Sequence, residues 1–163
     1  MPAPDSPDSS REPALETLKL FRVIFKSANK HFHEIEKVAG IGGASLWALA
    51  EISESPELTV SGLAKAMSVH QSTASNLMDK LDAGGYILRT RSLEDRRVVH
   101  LSLTDKGRDV LAKAPAPYRG ILPDALMRMN PESLSVLNCH LVELIAGMER
   151  THDNGAFEPL GKT

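Results

Sequence analysis

The chain has 163 residues, 42% hydrophobic and 25% charged, with 19 basic against 21 acidic side chains and one cysteine. That length fits one domain with an appended element, and a lone cysteine excludes an internal disulfide framework and a cysteine-ligated zinc finger. The longest uncharged apolar stretch, residues 38–50, falls short of the roughly 20 residues a bilayer span needs, and no basic start with an apolar core marks a signal peptide, so a soluble cytoplasmic protein with no membrane partner is expected.

Residues 1–13 hold four prolines, three serines and two aspartates. They cannot bury enough apolar surface to offset their ordering entropy, and a disordered tail is expected. Residues 14–38 lack Pro and Gly, and Leu15, Leu18, Phe21, Phe25, Phe32 and Ile35 recur at helical steps. At about 1.5 Å per residue such a helix approaches 40 Å, longer than a small core can cover alone. Gly40, Gly42 and Gly43 end it, and a second helix follows over residues 44–53 with Leu46, Leu49 and Ile52 inward.

A short helix around Leu63, Ala64 and Met67, a break at 68–70 and a helix over 71–83 come next. In the last of these Ala74, Leu77, Met78 and Leu81 form a buried face, and Gly84-Gly85 stops it. Residues 86–91 and 98–103 alternate as strands around the charged turn 92–97. This order predicts a helix-turn-helix with a wing. Thr104 is placed to cap the next helix, with Asp105 in its first turn. Pro115, Pro117 and Pro123 predict a bent helix over about 104–129, and Pro131 opens a last helix with Leu134, Leu137, Leu141, Leu144, Ile145 and Met148 on one stripe.

Charge singles out the winged segment. Residues 58–108 carry eight basic and five acidic side chains, whereas the rest carries eleven and sixteen, so a polyanion is drawn to this third of the chain. Opposite the buried face of helix 71–83 stand Gln71, Ser72, Ser75 and Asn76, with Thr73 beside them. These short hydroxyl and amide side chains donate and accept hydrogen bonds, which base edges in a major groove require. A solvated polar face is the plain alternative. Asp95, Arg96 and Arg97 sit at the hairpin tip, where an arginine is able to enter a narrow minor groove. His70, Lys80, Arg89 and Arg91 flank these elements as candidate phosphate contacts.

The segments LTVSGLAKAM (58–67), STASNLMDKLDAGGYI (72–87) and EDRRVVHLSLTDKG (94–107) resemble the winged-helix core of the MarR family of bacterial transcriptional regulators. The Asp-Arg-Arg wing followed by Leu-Thr-Asp-Lys-Gly is the specific part, and the flanking helices extend the likeness over about residues 14–150. The resemblance implies a mainly α fold with a small β-wing: a winged helix-turn-helix over 44–103, dimerisation helices over 14–39 and 104–150, and a loose tail over 151–163. It implies a homodimeric repressor on double-stranded DNA with an imperfectly palindromic operator, its half-sites about 34 Å apart. In it Arg97 enters the minor groove, Asp95 holds Arg97, residues 71–76 face the major groove, and Arg89 is structural or touches phosphate. It also implies release by a small aromatic or phenolic effector between arms and winged domain, where Phe25, His31, Trp47 and Met67 are candidate lining residues, or else plain core. His70 stands where the family usually has a Ser or Asp helix cap, and the prolines at 115, 117 and 123 interrupt a helix that is often continuous.

No enzyme, cofactor or metal is expected. Gly40, Gly42 and Gly43 follow a helix and not a strand, so they form no phosphate-cradling loop, and no Ser-His-acid spacing occurs. His31 and His33 are two apart and cannot chelate from one helix face; His140 and His152 are isolated in sequence. Cys139, between Leu137 and Leu141, is expected to be a buried, inert thiol. Two alternatives are a redox-responsive regulator using Cys139 and a winged-helix module that binds a protein partner without DNA.

Overall fold

The structure is a computed structural model that describes residues 11–95 and 97–148. Helix α1, Arg11–Ala39, runs 29 residues, about 43 Å at 1.5 Å per residue. It starts ahead of the expected boundary at residue 14: Arg11, Glu12 and Pro13 belong to its first turn, where a proline is tolerated because its missing N–H would have no intrahelical partner. Only its second half enters the core, through Ala28, His31 and Ile35. Towards the N-terminus the same stripe runs past the edge of the core, and Leu15, Leu18 and Phe25 are exposed.

Helix α2, Gly43–Glu54, lies within the core and buries Leu46, Ala48, Leu49 and Ile52. Helix α3, Val60–Ala66, is capped by Thr59, whose side chain accepts from the Gly62 N–H. It ends on Ser68 at φ +52°, with Ser68 N–H on Lys65 O and Val69 N–H on Ala64 O, the paired bonds of a left-handed helix stop. Helix α4, Gln71–Ala83, buries Ala74, Met78 and Leu81. It ends in the same manner at Gly85, with φ +72° and Tyr86 N–H on Leu81 O.

Strands β1, Ile87–Arg91, and β2, Val99–Leu103, pair antiparallel with Ile87 opposite Leu103 and Arg91 opposite Val99. A bridge between Thr59 and His100, the Leu101 N–H on Leu58 O, and His100 Nδ1 at 2.7 Å from Glu57 O tie this wing to the entry of α3.

Helix α5, Asp105–Lys113, is capped by Thr104, which accepts from the Gly107 N–H. The expected bent helix is a complete break instead. Ala114, at ψ 145°, is already extended, because the ring of Pro115 clashes with a helical residue before it. The chain then crosses 115–120 to α6, Ile121–Met127, and α7, Pro131–Gly147. Asn130 caps α7 by accepting from the Glu132 and Ser133 N–H groups.

No residue of α7 is buried. Val136, Val142, Leu144 and Ile145 face outward, and Cys139 is exposed, contrary to the expected buried thiol. The helix carries the expected apolar pattern: Leu134, Leu137 and Leu141 are half-buried, and among the described residues Leu144, Ile145 and Met148 are left uncovered. Among the described residues, no helix is long and apolar enough to cross a membrane. The tail over 151–163, with His152, and the end of the domain at 149–150 lie outside the described residues, as does most of the tail over 1–13.

Candidate nucleic-acid interface

The amphipathic sequence of α4 sorts its side chains. With Ala74, Met78 and Leu81 packed inward, Gln71, Ser72 and Asn76 are exposed, and Thr73 and Ser75 lie half-buried at the edges of the polar face. Asp79 also stands outward, one turn beyond Ser72 and Asn76. Lys80 is exposed. His70 occupies the cap position at φ −63°, ψ 149°, with no side-chain cap bond.

The acids of this helix are answered from the wing. The Arg89 guanidinium on β1 donates to Asp79 Oδ1 at 2.5 Å, and its Nε lies 3.2 Å from Asp82 Oδ2. This clamps α4 to the wing and neutralises negative charge on the outward face of α4. Arg89 is thereby engaged within the protein and is not presented as a phosphate contact.

The wing loop is held by its own short polar groups. Ser92 Oγ accepts from the Glu94 and Asp95 N–H groups, and the Asp95 carboxylate accepts from the Arg97 N–H at 2.9 Å. Asp95 thus fixes the backbone of Arg97 and not its guanidinium, leaving an exposed Arg97 at the hairpin tip. Arg96 lies outside the described residues. Arg91, with Glu57, Leu93, Glu94 and His100, borders an open groove of about 540 Å³ beneath the wing.

Of the candidate effector residues, Phe25 is 53% exposed and stacks on Phe21 with ring centroids 6.3 Å apart. Met67 belongs to the core cluster, and Trp47 packs against that cluster from its edge. His31 is buried with Nε2 at 3.2 Å from Pro117 O.

A charged cluster beside Trp47 was not foreseen. Glu51 on α2 is only 8% exposed. Its Oε1 accepts from Trp47 Nε1 at 2.8 Å and from Arg119 Nε at 2.7 Å, while Arg119 Nη2 donates to Glu54 Oε2 at 2.5 Å. The hydrogen bonds to Glu51 and then Glu54 hold the guanidinium above its usual pKa, against the opposing effect of burial. The one sequence signal was a glutamate inside the apolar run WALAEISE.

A MarR family model matches residues 44–99, the span from α2 to the first residue of β2. The HTH-type transcriptional repressor MdtR of Bacillus subtilis is 29% identical over 113 residues, 69% of this chain and 73% of that protein. The transcriptional regulator BldR of Sulfolobus solfataricus superposes with a TM-score of 0.54 at 28% identity, covering 81% of this chain and 96% of BldR. Sco3205, a MarR family transcriptional regulator from Streptomyces coelicolor solved in complex with DNA, shares the fold with a TM-score of 0.59 at 22% identity, covering 94% and 96% of the two chains. All three of these proteins are transcriptional regulators. The winged-helix domain at the centre of the chain, residues 44–99, thus matches the MarR family, and the chain is similar to transcriptional regulators that carry this domain.

Proposed function

We propose that this chain is a homodimeric, DNA-binding repressor that reads a palindromic operator with α4 in the major groove and the wing in the minor groove. The observation that carries this reading is the polar outward face of α4 clamped beside a projecting arginine-tipped wing. Gln71, Ser72, Thr73, Ser75 and Asn76 supply donors and acceptors for base edges, and Arg97 supplies the guanidinium favoured by a narrow groove. Lys80 and His70 stand where the helix meets the flanking phosphates. An apolar centre, which a protein partner would call for, is missing from this face. The DNA in the Sco3205 complex supports the same partner for the shared fold.

The dimer is supported by the uncovered apolar surface on the first half of α1 and along α7. Contiguous apolar surface of this kind marks a protein interface, and a second copy of the chain supplies matching helices by two-fold symmetry. Release by a small aromatic or phenolic effector rests on the family likeness. It requires that the effector bind the released conformer more tightly than the DNA-bound one.

The test is a titration of labelled random duplex at two salt concentrations alongside sedimentation of the free protein. A two-chain particle whose affinity falls steeply with salt is expected. A single-chain particle, or no complex at low salt, overturns the reading.

A further inference from the structure

The cluster around Glu51 joins parts of the chain that sequence keeps far apart. Arg119 is 68 residues from Glu51 and 65 from Glu54, whereas Lys19–Glu16, Lys30–Glu34, Arg108–Asp105 and Arg128–Asp124 each pair within a turn of their own helix. Helix α2 is fixed in the winged core by Leu46, Leu49 and Ile52. Arg119 lies on the loop that hands the chain on to α6 and α7. On the same loop the Pro117 carbonyl meets His31 of α1. The Phe32 ring of α1 fills the space between Gly43 and Gly120, where an added Cβ would stand 2.2 Å and 3.5 Å from it. Helix α1 and the loop that leads through α6 to α7 therefore meet the winged domain at one joint.

We infer that Arg119 is a positioning residue that locks the α1–α7 arm to the winged domain, and so sets the separation of the two reading heads in the dimer. The inference rests on the dimeric, DNA-binding reading above. Glu51 and Glu54 stand three residues apart on one helix face, so a guanidinium that bonds to both is fixed in plane as well as in place, which a lysine's single point charge cannot do. The lever is long. Helix α7, reached from Arg119 through α6, has 17 residues, about 25 Å, and a turn of about 10° passed on to it moves its far end by about 4 Å, more than the base-pair rise of about 3.4 Å. Small looseness at the joint thus becomes a full step in half-site spacing.

The test uses the full chain and a duplex enriched from a random library by the unaltered protein, compared with the same duplex carrying one extra base pair between its half-sites. Two variants are measured. Arg119→Lys keeps the charge that answers Glu51 but loses the two-carboxylate fork. Arg119→Met with Glu51→Gln removes both charges and keeps an acceptor oxygen for Trp47, so it answers the question even where the lysine variant does not fold. The unaltered protein is expected to lose about tenfold or more in affinity on the lengthened duplex, and the variants at most about threefold, while remaining folded dimers. Equal discrimination by the folded variants makes Arg119 merely structural and overturns the inference. Enrichment by the unaltered protein of no duplex, or of one without paired half-sites, overturns the dimeric reading and the inference with it, a failure visible before any variant is made.

Discussion

Arg89 of the first wing strand and Asp79 of the recognition helix are bonded at 2.5 Å, with Asp82 completing the clamp at 3.2 Å. The pair does two things at once. It ties the wing strand to α4, and it neutralises carboxylates that, in the proposed DNA-bound arrangement, would repel phosphate.

Arg89→Ala tests that double role. The clamp is partly exposed, so its loss costs no more than about 1 kcal/mol of folding stability. DNA affinity is expected to fall, because Asp79 and Asp82 stand bare against the backbone. Since Arg89 is spent on carboxylates, the slope of log affinity against log salt stays at its unaltered value. A slope shallower by about 0.9 would mean that Arg89 contacts a phosphate directly.

Gly107 allows the closest approach in the winged core: a Cβ there would lie 2.1 Å from the Tyr86 carbonyl oxygen. Backbone cannot swing aside as a flexible side chain can. Gly107→Ala is expected to destabilise by about 2 kcal/mol and lower Tm by about 5 °C. An unchanged melting curve contradicts this packing.

Ser68 holds a left-handed conformation at φ +52° in the turn between α3 and α4, strained for a residue with a Cβ. Ser68→Gly is expected to stabilise the fold by about 1 kcal/mol in denaturant titration, with DNA affinity unaltered. A loss of stability would show that the Ser68 side chain contributes more than its backbone strain costs.

Ile145, on the apolar stripe of α7, is 64% exposed. If that face is the dimer contact, Ile145→Arg sets two like charges into an apolar interface across the two-fold axis. Sedimentation at micromolar concentration is expected to show the single-chain species. A dimer of unaltered strength places the contact elsewhere.

The sequence was most readable where residues act on near neighbours. Thr104 caps α5, and Asp105 stands in its first turn and pairs with Arg108. Both follow from local chemistry, as do the two faces of α4. Hidden from sequence were relationships set only by folding: Glu51 with Arg119, and Arg89 with the two aspartates of α4. The exposure of Cys139 was misjudged for another reason. Periodicity states that α7 has an apolar stripe, but not how much of that stripe the rest of the fold covers. The end of the helix near Ala114 is legible in Pro115, whose ring forces the residue before it out of the helix, but prolines alone do not separate a break from a bend.

Affinity of the unaltered protein and of Arg97→Ala for one enriched duplex, by fluorescence anisotropy at matched salt, tests the central claim most directly. Arg97 is exposed at the wing tip, so its loss leaves fold and dimer intact, and binding is expected to weaken by at least about 1 kcal/mol, roughly fivefold. Equal affinity of the two proteins would remove the wing from the DNA interface and contradict the account.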